Sequence, residues 1–99
     1  MAKYHLTHKA VKDLSNIWNY TCNEWSEMQA DEYYQLLMHT FTKLANEPKI
    51  GKNYDEISLD LLGYKFKNHI IFYQAISDTE ILIIRILHSR MDLKSRIND

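Results

Sequence analysis

Ile81-Leu82-Ile83-Ile84-Arg85-Ile86-Leu87-His88-Ser89-Arg90-Met91-Asp92 is the stretch on which the reading of this chain turns. A continuous run of isoleucine and leucine between polar flanks reads as a buried strand. Arg85 interrupts the run, and His88, Arg90 and Asp92 follow it directly. A charge inside a strand is costly unless it is paired or reaches solvent. One edge or face of the sheet is therefore expected to meet something here, and the end of this strand is the first place to look for function.

Working back from that strand, Ser77-Asp78-Thr79-Glu80 is turn chemistry, and Ile70 to Ala75 reads as a preceding strand. Asn68-His69 is the expected two-residue turn. Before it, Leu61-Leu62-Gly63-Tyr64-Lys65-Phe66-Lys67 alternates, with Tyr64 and Phe66 on one side and Lys65 and Lys67 on the other. Consecutive strands with short connections are most simply an antiparallel meander.

The first half of the chain has a different period. Tyr4-His5-Leu6 can form a short strand. Thr7 is placed as a helix N-cap, with Leu6 and Val11 spaced for a hydrophobic staple. Ala10, Leu14, Ile17 and Thr21 recur at helical spacing, with Val11, Trp18 and Trp25 on the adjoining stripe, and the helix is expected to end near Glu24. Ser26-Glu27-Met28-Gln29 is a capping-box pattern that opens a second helix. Its stripe is Ala30, Tyr33, Leu37, Phe41 and Leu44, flanked by Tyr34 and Met38, and it must stop before Pro48. The expected fold is α+β: an N-terminal short strand and a helical hairpin packed on one face of an antiparallel β-sheet, all within a single domain spanning residues 1–99.

Composition narrows the function. With 45% hydrophobic and 25% charged residues in 99, the chain has the balance of an ordinary globular domain. No apolar run approaches the roughly 20 residues of a membrane helix. The N-terminus lacks the apolar core of a secretory signal, which makes the cytoplasm the expected compartment. A net charge of −1 gives no reason to expect direct DNA binding. Cys22 cannot form an internal disulfide, and no Cys/His spacing suggests a metal site. No phosphate loop or Ser/His/acid motif occurs, and no cofactor is expected.

His5, His8, His39 and His69 carry no pattern and read as structural or solvent-exposed. His88, between Arg85 and Arg90, has two readings. It could act as a base on a phosphodiester, with the arginines on phosphate. Alternatively it bonds backbone at the strand end while the arginines pair with Asp92 or a glutamate. Among the aromatics Trp18, Tyr20, Trp25, Tyr33 and Tyr34, helical spacing assigns most to the core, with Trp25 the exposed member at the hairpin turn. Lys65 and Lys67 read as a solvated strand face.

The whole chain resembles the RelE/ParE superfamily of bacterial toxins, and its ParE-like branch in particular. Leu6-Thr7, Ala10, Asp13-Leu14, Ile17 and Tyr20 look like that family's first strand and helix. Gln29-Ala30 and Tyr33 look like the opening of its second helix. Leu44-Ala45-Asn46-Glu47-Pro48-Lys49-Ile50-Gly51-Lys52 resembles its helix end and proline-glycine loop. His69-Ile70-Ile71-Phe72-Tyr73 resembles its central strand, and Ile84 to Asp92 its closing strand.

The resemblance implies the toxin of a type II toxin–antitoxin system of the plasmid stabilisation type. The implied partner is a small antitoxin, usually a DNA-binding dimer that wraps the toxin. In the ParE branch the target is DNA gyrase, which is inhibited rather than cleaved. In the RelE branch the toxin is a ribosome-dependent mRNA endonuclease. No tyrosine follows Tyr73, so the late tyrosine of RelE-like enzymes is absent; Lys52 stands where relatives often carry arginine, and the arginine often found near the start of the second strand is either replaced by Lys65 or missing. The expectation is therefore a non-enzymatic gyrase inhibitor. The alternatives are a ribonuclease acting through Arg85, His88 and Arg90, or a non-toxic domain that only holds its antitoxin. The surface for antitoxin or target is expected at Trp25, Lys65, Lys67, Arg85, His88, Arg90 and Asp92.

Overall fold

The structure, a computed structural model, describes residues 2–90 and 96–97. Strand β1 (Lys3–Leu6) leads into helix α1 (His8–Glu24) and helix α2 (Glu27–Asn46). A 3₁₀ turn (Pro48–Ile50) and strands β2 (Lys52–Asn53), β3 (Leu62–Phe66), β4 (His69–Ala75) and β5 (Glu80–His88) follow. The helix boundaries are those the caps dictate. Thr7 Oγ1 accepts the Ala10 N–H at 3.0 Å, and Ser26 Oγ accepts the Gln29 N–H at 3.1 Å. The staple is not made as expected, since Val11 faces solvent.

The fold class is α+β, with two helices packed on a five-stranded sheet ordered β1-β5-β4-β3-β2. The meander β3-β4-β5 is antiparallel, and β2 adds a short antiparallel rung. The sheet is mixed, because β1 joins β5 in parallel, Lys3 to Leu6 opposite Glu80 to Ile83. The helical hairpin between β1 and the meander acts as the crossover that a parallel pair requires. As a result β5 is an interior strand for its first half, not the sheet edge its charges suggest.

The main core lies between the helices and one sheet face: Leu37, Phe41 and Leu44 of α2 against Ile71, Tyr73, Ile81 and Ile83. A second, smaller core lies on the other face, where Leu61, Ile70, Phe72 and Leu87 are covered by Tyr54, Ile57, Ile84 and Ile97. The loop between β2 and β3 therefore covers the face left open by the helices.

Both glycines serve close approach. A Cβ at Gly51 would strike the hydroxyl end of Tyr73, which donates to the Pro48 carbonyl at 2.6 Å. A Cβ at Gly63 would strike the ring of Tyr54, which stands edge-on to Phe72 at 5.2 Å. This second packing corrects the expected turn. Gly63 stands opposite Phe72, so Phe66 pairs with His69 and the turn is Lys67-Asn68, one residue early. Lys67 takes the left-handed conformation there, at φ 54°, although asparagine would adopt it more cheaply.

Candidate functional site: a groove at the end of β5

β1 ends at Leu6, opposite Ile83, and among the described residues no strand continues along the remaining edge of β5. Elements that follow β1 in sequence take over its hydrogen bonds. The Thr7 N–H donates to the Ile83 carbonyl at 3.0 Å, and the Thr7 hydroxyl donates to the Ile84 carbonyl at 2.7 Å. The Ile86 N–H donates to Asp13 Oδ2 at 3.0 Å. On the β4 side, the register skips between Phe72 and Tyr73, so that β5 carries a bulge at Ile84 and Arg85. The bulge shifts the alternation, so that Ile86 joins Ile81 and Ile83 in the helix-side core, and Arg85 lies against α1.

Arg85 grips Asp13 with two bonds, from Nε to Oδ2 at 2.7 Å and from Nη2 to Oδ1 at 3.0 Å. The Asp13 and Arg85 side chains are only 12% and 14% exposed. A bidentate pair this far from water is a strong charge-assisted contact. Arg85 Nη1 also donates to the Arg96 carbonyl at 2.9 Å and so ties the C-terminal segment to the same point. The partner expected for Arg85 was Asp92 or a glutamate; the structure shows Asp13, and Asp92 lies outside the described residues. Sequence reasoning had one signal for this: Asp13 sits within the apolar Ala10, Leu14, Ile17 stripe, where a carboxylate needs a partner.

Beyond Arg85 the two central strands end on a histidine pair. His69 opens β4 directly opposite His88, the last residue of β5, with ring centroids 5.5 Å apart. Tyr33 of α2 reaches His69 Nδ1 through its hydroxyl at 2.8 Å. Burial pushes the Tyr33 phenol up to about 12, so it keeps its proton. Burial, and then the neighbouring His88, hold the His69 imidazole below its ordinary value, with the Asp13 carboxylate opposing them. His88 Nδ1 accepts the Arg90 N–H at 3.2 Å, which is the structural role foreseen for it. His69 was read as a residue without pattern, and its place in the cluster follows only from strand register.

These residues line a groove of about 720 Å³ between α1, the start of α2 and the ends of β4 and β5. Trp25 and Tyr20 form its outer wall, 71% and 64% exposed. That reverses the expectation that most of the aromatic set is core. Tyr20 and Tyr34 are exposed and Trp18 and Tyr33 half-buried: α1 buries only Ala10 and Leu14, and on α2 Tyr33 and Tyr34 lie outside the set of buried residues, which includes Ala30, Leu37 and Phe41. Lys67 stands at the rim, its Nζ 5.8 Å from the Tyr33 ring centre.

Of the residues singled out from sequence, Trp25, Arg85 and His88 meet at the groove, with Lys67 and Arg90 beside it. Lys65 is exposed on the opposite sheet face, since Tyr64 and Phe66 turn to the helices. Asp92 lies outside the described residues. Among the described residues, no group of His, Cys, Asp and Glu is clustered to hold a metal ion.

Residues 4–93 match the family model described as the ParE toxin of the type II toxin–antitoxin system parDE. The chain belongs to the ParE toxin family. Toxin ParE1 of Mycobacterium tuberculosis is 33% identical over 92 residues, which is 93% of this chain and 94% of that one. Toxin ParE of Escherichia coli is 32% identical, with 100% of this chain and 96% of the other aligned. A solved structure described as a chromosomal ParDE toxin–antitoxin system from P. aeruginosa superposes with a TM-score of 0.75 over 89% of this chain and 96% of its own, at 18% identity. That likeness supports the fold. As a ParE-family chain, this is the toxin of a type II toxin–antitoxin system. No helix among the described residues is long and apolar enough to cross a membrane.

Proposed function

We propose that this ParE-type toxin arrests growth in the cytoplasm by inhibiting DNA gyrase, without catalysing a reaction of its own. A cognate antitoxin, a small DNA-binding protein, neutralises it by covering the groove at the end of β5. The observation that carries this reading is the Asp13–Arg85 clasp. The arginine best placed to hold a phosphate is already gripped by a carboxylate and by the Arg96 carbonyl. The charged end of β5 is built to fix a surface, with Trp25, Lys67, His88 and Arg90 around it for recognition. Purified gyrase should lose supercoiling activity on addition of the toxin and regain it when antitoxin is added first. Normal supercoiling at saturating toxin would refute the reading.

One observation favours the ribonuclease alternative: His69, opposite His88, is a second imidazole that the sequence alone did not place beside it. In that reading His88, Arg85 and Arg90 act on the phosphate of ribosome-bound mRNA. Full toxicity of both His88→Ala and Arg90→Ala would remove it. Growth arrest by the isolated chain, in turn, would exclude a domain that merely holds its antitoxin.

A further inference from the structure

The two histidines of the groove differ in what a proton would cost them. His88 accepts the Arg90 N–H at Nδ1, and an imidazolium has no free lone pair, so charging His88 breaks that bond. His69 is bonded at Nδ1 to the Tyr33 hydroxyl, which can turn from donor to acceptor. His69 can therefore take a proton and keep its partner. Its other nitrogen, Nε2, forms no hydrogen bond among the described residues.

The surroundings of His69 disfavour that proton while the groove is open. Half-burial removes part of its hydration, and His88 lies at 5.5 Å across the strand pair. Among the described residues, the charged and titratable groups around it are Asp13 and Tyr20 from α1, Glu32 and Tyr33 from α2, Lys67 from the turn, Arg85 and His88 from β5, Arg90 beyond it, and Arg96. Asp13 is the one anion among the described residues that line the groove, and Arg85 occupies both of its oxygens, while Glu32 lies with Lys67 and Tyr33 in the adjoining pocket. The described lining thus carries more positive than negative charge, and an arriving carboxylate would balance it. Trp25 and Tyr20 offer an apolar wall for the side chains beside that carboxylate.

We infer that the groove receives an acidic segment of the antitoxin, with a carboxylate set against His69, and that His69 takes up a proton as the segment docks. The inference rests on the antitoxin reading above and adds its chemistry. The proton comes from solvent, so that both ring nitrogens of His69 carry hydrogen, Nδ1–H donating to the Tyr33 oxygen and Nε2–H to the incoming carboxylate. Coupling of this kind makes the complex tighten as pH falls, because one partner binds only in its protonated form.

The test uses the full-length toxin and the purified full-length product of the antitoxin frame adjoining its own gene. Binding is measured by calorimetry between pH 8 and pH 6 at constant ionic strength, in two buffers of different ionisation enthalpy. Affinity should rise by up to about a hundredfold over that range, with net proton uptake approaching one at its alkaline end. His69→Gln should remove most of the pH dependence, whereas His39→Gln, an exposed histidine on α2 away from the groove, should keep it. Trp25→Ala should weaken binding at every pH, and it leaves the core intact. A complex that forms with pH-independent affinity and no proton uptake overturns the inference while leaving the antitoxin reading standing. Full affinity in Trp25→Ala overturns it by placing the contact elsewhere. Failure to bind at any pH takes down the antitoxin reading and the inference together.

Discussion

The two halves of β5 solve the same problem by different means. From Ile81 to Ile83 the strand has β1 on one side and β4 on the other, and Ile81 and Ile83 are fully buried beneath the helices. From Arg85 to His88 only β4 remains as a strand neighbour among the described residues, and Thr7 and Asp13 take up bonds along the other edge. The first half is held by backbone pairing and apolar packing, which are tolerant of side-chain chemistry but leave nothing to recognise. The second half is held by side chains, so the groups that complete the fold are the same ones that line the groove. Under the proposed antitoxin reading, stability and recognition are therefore separate in one half and joined in the other.

Substitutions can break this contrast. The largest effect is expected in the first half: Ile83→Ala should cost about 4 kcal/mol in urea denaturation, as a large-to-small change in a closed core. Binding of antitoxin by the fraction that stays folded should be unchanged. Asp13→Ala should cost about 3 kcal/mol, because it strands a mostly buried guanidinium and orphans the Ile86 N–H. Unlike Ile83→Ala, it should also weaken the antitoxin complex. Asp13→Asn, which can still accept the Ile86 N–H, should recover part of the stability. If Asp13→Ala proves neutral in stability, the joined character of the second half is wrong.

Thr7→Val sharpens the boundary between the halves. It removes the N-cap of α1 and the bond to the Ile84 carbonyl, and should cost about 1.5 kcal/mol in the same assay.

The pH prediction concerns His69 in the free toxin. Its folded pKa is lowered, chiefly by burial, so the unfolded chain binds the proton more readily. Its contribution to stability is whole above about pH 6.5, the unfolded value, and is lost as pH falls through that value towards the folded one. Thermal denaturation from pH 7.5 to 5 should show a shallower acid decline for His69→Gln than for the wild-type chain. The smallest effect belongs to Trp25→Ala, within about 0.5 kcal/mol, since the ring is mostly in solvent.

The fold was largely legible because its signals are local. Thr7 and Ser26 cap the helices, Pro48 ends the second, and period-two alternation marks β3. Two features were not legible. The Lys67-Asn68 turn depends on Gly63 facing Phe72 so that Tyr54 can cover it, a contact made by three separate segments. The exposure of Tyr20 on α1 and Tyr34 on α2 depends on how little of each helix is covered, and helical spacing alone does not carry that. At the site, Trp25, Arg85 and His88 were identifiable as unusual residues for their positions. Asp13, Tyr33 and His69 were not tied to them, because each is brought in from a different element.

The sequence alone determined that this chain forms a helical hairpin and a meander of strands, and that its closing strand carries charge where apolar residues are expected. Caps, breakers and periodicity are properties of neighbouring residues, and they survive without knowledge of the whole. Only the tertiary structure decided that β1 joins β5 in parallel and stops at Leu6, which hands the rest of the edge to Asp13. The pairing of residues 72 positions apart rests on strand register, a bulge and a helix position acting together. That conjunction is what turns a costly arginine into the anchor of a groove.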